Sequence, residues 1–248
     1  MLGKIASALG IEQVKIDTKL ANPSLCGGQV LNGEIVFRGV SSDKYINGLR
    51  LDLMTTAEVE SGDNEYNTAL CITSWHVSGA FNLQTNSRHR IPFSLELPFE
   101  TPLTDVSCHY NKSKVWLYTH LDIDWSLDAK DVDYLNIQPN PAMLAFMTAM
   151  QQCGFALRSI DVEKGQLRGQ GFQSTIGCYQ ELEFIAIQQF SMINEIEVSF
   201  VAEAHRTHVL LEIDRKMSYR DSYQCLTIPH QHIDVGQLAG QIRQLLGI

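Results

Sequence analysis

This chain has no cysteines at CxxC spacing, no lysine and arginine cluster, and no apolar run approaching the ~18 residues of a membrane span. Each absence removes a class of function. Six cysteines stand far apart, at 26, 71, 108, 153, 178 and 225, so zinc-site spacing is missing. A chain of this length buries roughly 70 to 75% of its unfolded surface and needs no disulfide to hold together, so free thiols in a reducing compartment are expected. Against 28 acidic residues there are 19 basic ones, a net charge of -9. Nucleic acid or an anionic membrane would be repelled, whereas a basic partner fits. Catalytic templates are also missing: there is no GxSxG elbow and no GxxxxGK[ST] loop. The glycines of GQLRGQG lack dinucleotide-binding spacing and predict a hairpin or loop. The N-terminal MLGKIASALGI is too short and interrupted for a signal peptide or anchor, and a soluble cytoplasmic protein is the expectation.

What is present is alternation. Ile91, Phe93, Leu95 and Leu97 alternate with Pro92, Ser94 and Glu96, the two-residue period of a strand with one buried face. In KVWLYTHLDIDWSLDAKDVDYLNI, Val115, Leu117, Leu121 and Ile123 point one way, and Trp116, Tyr118, His120, Asp122 and Asp124 the other. Further strands are predicted from Val14 to Leu20, Gln29 to Arg38, Asn47 to Thr56 and Ile72 to Val77, broken by Asn22-Pro23, Gly27-Gly28 and Glu60 to Asn64. Helical crossovers are missing, so the spacing predicts an antiparallel sandwich. Leu2, Ile5, Ala6 and Leu9 predict one short N-terminal helix.

Gln138-Pro139-Asn140-Pro141 is the best boundary, dividing the chain into 1–138 and 139–248. Asn140 is placed to cap a helix with Met143, Leu144, Met147 and Met150 on its apolar face, ended by Gly154. Beyond it the strand pattern resumes, over Phe155 to Val162, Leu182 to Ala186, Ile196 to Val201, Val209 to Lys216 and Gln224 to Ile228. Asp234 then caps a final helix carrying Val235, Leu238, Ile242 and Leu245. That stripe must be covered, by its own domain or by a second copy in a homodimer.

Three groups invite a chemical reading. Asp122, Asp124, Ser126, Asp128 and Asp133 match positions one, three, five, seven and twelve of a calcium loop, but Leu127 replaces its glycine and strands flank it. A solvated strand edge with a turn is expected instead. His205 with His208 and His230 with His232 have no third ligand nearby in sequence and read as hydrogen-bonded histidines. Trp116, Tyr118 and His120 form a candidate binding face, either a sugar platform or, as expected here, the cover of a domain interface.

The blocks IPFSLELPFETPLT and SKVWLYTHLDIDWSLDAKDVDYLNIQP resemble the SpoOM family of bacterial sporulation-control proteins, as do KIASALGIEQVKIDTKL, VLNGEIVFRG, MQQCGFALRSIDVE and LLEIDRK. The resemblance covers most of residues 1 to 216 in the same order. It implies an arrestin-like, mainly β fold, with two antiparallel β-sandwich domains, a few short helices and a regulatory, non-enzymatic role through protein contacts. With no cofactor motif and no long apolar run in the sequence, neither a cofactor nor membrane insertion is expected. The loop TDVSCHYNKSK looks longer than the family's connection there, and the tail after Lys216 matches poorly. Asp122, Asp124, Asp214 and Arg215 are the candidates for polar contacts that set the interdomain angle, since opposed half-buried charges hold one arrangement. The rival expectation is a sugar- or calcium-binding sandwich that uses the face from Trp116 to Asp124.

Overall fold

The computed structural model describes residues 13–61, 64–125, 127–188, 191–216 and 220–248. The helix expected at Leu2 to Leu9 lies outside them, as does Ser126. Up to the proline linker the chain is all strand: β1 (Lys15–Leu20), β2 (Ser24–Cys26), β3 (Val30–Arg38), β4 (Lys44–Ser61), β5 (Asn64–Ser78), β6 (Phe81–Leu83), β7 (Arg88–Glu96), β8 (Tyr110–Asn111), β9 (Val115–Ile123) and β10 (Ala129–Gln138). Helix α1 (Pro141–Gln152) follows. The chain then runs through β11 (Phe155–Lys164), β12 (Arg168–Gly169), β13 (Phe172–Gln173), β14 (Cys178–Ala186), β15 (Ile193–Ala202), β16 (Arg206–Arg215), β17 (Ser222–Pro229) and α2 (Val235–Leu246). GQLRGQG supplies β12 and the turn of the small β12–β13 hairpin, in line with the hairpin or loop predicted there.

In the N-terminal half, the sheet β1-β3-β7 packs across β4, β9 and β10 of a long second sheet. Alternation puts Leu31, Ile35 and Phe37 of β3 against Leu49, Leu51 and Leu53 of β4 and Leu117 and Leu121 of β9, all buried. At roughly 25 cal/mol per Å² of apolar surface removed from water, these leucines and isoleucines dominate the stability of the sandwich. Gly33 sits opposite Phe93, where a Cβ would come within 2.5 Å of the Phe93 ring, so the close approach of β3 to β7 requires glycine. Inside the sandwich the Thr18 and Thr119 hydroxyls meet at 2.7 Å, so the two polar groups buried there satisfy each other.

The linker behaves as its residues dictate. Asn140 is extended, its Oδ1 accepts the Met143 N–H at 2.9 Å, and Pro141 opens the helix. Gly154 takes φ +89 just past the helix end. Met143 and Met150 are buried, but Leu144, expected on the same face, is 50% exposed; Ala142, Ala145, Phe146 and Ala149 complete the buried side. In the C-terminal half the sheet continues as β11-β14-β15-β16-β17, and the helix pair packs on its apolar face, with Phe146 edge-on to Phe200 at 5.5 Å. The last helix therefore packs within its own chain: Leu238, Ala239, Ile242 and Leu246 join the core, and Arg243 donates to the Gln152 carbonyl at 2.8 Å.

Only one bridged pair, Glu58 with Glu163, joins β4 to β11. Ala57, Val162 and Cys178 pack together beside that pair, and the long loop between β7 and β9 adds further links. β8 within it pairs with β11, and Gln180 of β14 accepts the Leu103 N–H while donating to the Leu103 carbonyl and the Ser113 hydroxyl.

Candidate functional site

The outer face of β5-β4-β9-β10 is built by register. Across these strands His76, Arg50, His120 and Lys130 form one row; Ser74, Asp52, Tyr118 and Val132 a second; Cys71, Met54, Trp116 and Tyr134 a third. Cross-strand neighbours of this kind stand close enough to touch. Trp116 lies 6.1 Å from Tyr134 between ring centres, and the Lys130 ammonium sits 5.9 Å from the Tyr118 ring. Hydrogen bonding to Tyr118 favours the charged lysine and pushes its pKa up. Asp52 is buried beneath them; Arg50 Nε bonds its Oδ2 at 3.1 Å and lies 3.0 Å from Oδ1, which keeps no hydrogen bond of its own. Val132 is 45% and Tyr134 65% exposed, so the C-terminal half does not cover this face.

Two β-bulges lie just beyond the first row, both on its Gly48 side. Asn47 is the extra residue of β4 against β9, and Val77 that of β5 against β4. Bulges bend strands and re-aim side chains, and here a pocket of about 460 Å³ opens beside them, lined by Asn47, Arg50, His76, Ser78, His120 and Asp122.

The β9–β10 hairpin is closed by Asp128. Its Oδ2 lies 2.9 Å from His120 Nε2, and its Oδ1 accepts the Ile123 N–H at 3.2 Å. This carboxylate is a hairpin clasp, and it does not converge with the rest of the suspected calcium loop. Asp122 accepts from Asn47 at 3.1 Å, while Asp133 faces the sandwich interior near Asp17 and Asp131. Burial first, then those two carboxylates, push Asp133 up to about 6. At the tip stands Trp125, which the sequence analysis did not single out.

The four residues expected to set the interdomain angle are not brought together. Asp122 pairs with Asn47, Asp214 accepts from Asn194 at 2.7 Å, and Arg215 donates to the Leu246 carbonyl at 2.7 Å. Asp124 contributes its backbone N–H to the Tyr45 carbonyl. The histidine pairs are held singly: His208 lies between Thr227 and Glu203 and stacks on Phe172, and His230 bonds Thr207.

A second cluster is assembled by strand pairing. On the wet face of the C-terminal sheet, Asp161 stands directly opposite Glu181, Glu183 opposite Glu197, and Glu197 opposite Glu212. Like charges placed so oppose each other. Burial raises Glu181 to about 8, with Glu197, Glu163, Asp161 and Glu212 adding repulsion. Lys112 lies 3.7 Å from Glu58 and 3.9 Å from Asp161, and Arg158 pairs with Glu183 and Glu195. One carboxylate oxygen each from Asp161, Glu163 and Glu181 falls within 4.8 Å of the others, a donor set of the kind hard divalent cations take. The i, i+2 spacing of Asp161 and Glu163 was readable, but the pairing that brings in Glu181 was not.

A family model described as SpoOM protein matches residues 2–217 of the chain. The sporulation-control protein spo0M of Bacillus subtilis (strain 168) is 28% identical over 215 residues, covering 86% of this chain and 80% of that one. The crystal structure of Spo0M from Bacillus subtilis superposes with a TM-score of 0.83 at 24% identity, covering 96% of this chain and 99% of that one. The fold is shared almost end to end. Among the described residues, no helix is long and apolar enough to cross a membrane.

Proposed function

Because the chain belongs to the SpoOM family, we propose that it is a cytoplasmic regulatory protein that acts by binding other proteins through the outer face of β4, β9 and β10, without catalysis. The observation that carries this reading is the row of Met54, Trp116 and Tyr134 with Val132 beside it, an aromatic and apolar surface left half open to solvent. Contact surfaces between proteins are enriched in Trp, Tyr and Met and depleted in lysine and acid at their centre. The acidic rows of the C-terminal half add long-range attraction for a basic partner. We take the division of labour to follow the Gln138-Pro139 boundary, with the contact face on 1–138 and the acidic face on 139–248.

A cross-linking pulldown from the source cells tests this reading. Partners captured by the wild-type protein are expected to be lost from a Val132→Lys/Tyr134→Lys variant that melts at the wild-type temperature. Capture of the same partners by that variant rules the face out. The pocket lined by Asn47, Arg50, His76, His120 and Asp122 favours a second reading, a module for a small polar ligand such as a sugar. Calorimetry with calcium and glycans separates the two, since heat from either would support the second.

A further inference from the structure

Trp125 is 97% exposed and has φ +52, a left-handed backbone that a bulky side chain adopts only where its surroundings impose it. The hairpin that carries it is pinned, because Asp128 fastens both His120 and the Ile123 N–H at its base. A large indole is thus held out in water on a closed support. Leu127 on the same turn and Tyr45, whose carbonyl accepts the Asp124 N–H, add exposed apolar surface at this end of the sheet. Asp122, Asp124 and Asp128 lie within three residues of Trp125 in sequence; the first bonds Asn47, the third His120, and Asp124 makes no side-chain bond among the described residues.

We propose that this tip is a plug: the Trp125 indole enters an apolar pocket on a partner protein whose rim carries lysine or arginine. The inference rests on the protein-binding reading above and specifies the partner's chemistry. Trp is the residue type most often found to anchor an interface, and its burial alone removes about 150 to 250 Å² from water. That is far below the area a stable interface needs, so the plug works together with the outer face, from which β9 and β10 lead directly to it. Charge selects the occupant. A hairpin carrying three carboxylates within three residues of the indole would be repelled by an anionic lipid surface, and a second copy of this chain would bring its own acidic surface to the tip. A basic rim is complementary to both the tip and the net charge of -9.

Photo-cross-linking in the source cells tests the inference, with p-benzoylphenylalanine introduced at position 125 in one strain and at position 134 in another. The expected result is one partner protein captured from both positions, the peptide cross-linked to position 125 containing apolar residues flanked by lysine or arginine. With that partner purified, Trp125→Ala should weaken binding about 30-fold and Asp122→Lys/Asp124→Lys should weaken it further. Capture from position 134 but not 125 overturns the plug and leaves the outer face standing; capture from neither overturns both. A blue shift of tryptophan emission with 4:1 phosphatidylcholine/phosphatidylglycerol vesicles that disappears in Trp125→Ser would assign the tip to a lipid surface instead. A dimer mass by light scattering that falls to the monomer in the same variant would assign it to a second copy. Either result overturns the proposal.

Discussion

His120 Nε2 and Asp128 Oδ2 lie 2.9 Å apart across the base of the β9–β10 hairpin, so a side chain of the outer face is fastened to the turn that presents Trp125. Asp128→Ala removes this contact and the bond to the Ile123 N–H. The expected cost is about 1 kcal/mol, with roughly five- to tenfold faster amide exchange at Ile123 and little change at Leu49 or Leu51. Uniformly unchanged exchange would show that the clasp does not hold the hairpin.

Gln180 is the buried polar link between the halves. Gln180→Ala removes three hydrogen bonds and strands the N–H and carbonyl of Leu103. A loss of about 2–4 kcal/mol is expected, read as a Tm lower by roughly 5–12 °C in calorimetry. Gln180→Glu should be as damaging at neutral pH, because a carboxylate cannot donate to Leu103 and Ser113.

Glu181 makes stability depend on pH in a defined direction. Its folded-state pKa of about 8 lies above the ordinary glutamate value of about 4.3, so the folded chain holds a proton that the unfolded chain has released. Its contribution is therefore favourable at low pH and is lost as pH rises from about 4 through 8. Glu181→Gln should flatten this decline, raising the Tm at pH 8 by roughly 5 °C while leaving it unchanged at pH 4. Asp133→Asn should act in the same sense over a lower window, ending near pH 6.

The cysteines differ in reactivity by environment. All six are free, Cys71 is exposed, and burial pushes the Cys178 thiol up to about 12. Brief iodoacetamide treatment at pH 8 should label Cys71 first and leave Cys178 intact until the protein is denatured, as read by peptide mass spectrometry. Early loss of Cys178 would contradict its burial.

The fold was legible wherever one face of an element is dry. The alternation of Leu49, Leu51 and Leu53, the Asn140 cap, the Gly154 stop and the Asp234 cap each reappear because a local rule sets them. The grouping of Trp116, Tyr118 and His120 on one face followed from the same period. What failed to show was everything decided by pairing between distant strands. The acidic rows need the register of β11 with β14, of β14 with β15 and of β15 with β16, and Arg215 finds a helix end 31 residues away where a carboxylate had been expected. Trp125 was passed over because period-two reasoning stops where a strand turns.

One strand serves both faces. β4 is 18 residues long, about 60 Å when extended, with Arg50, Asp52 and Met54 on the contact face and Glu58 beside Glu163 of the acidic cluster, Met54 and Glu58 only about 13 Å apart. Mechanically it is a shared beam. A load applied where a partner grips Met54 is delivered as shear to the single bridged pair at Glu58 and Glu163, the narrowest strand-to-strand weld between the halves, so pulling experiments should find the yield point there.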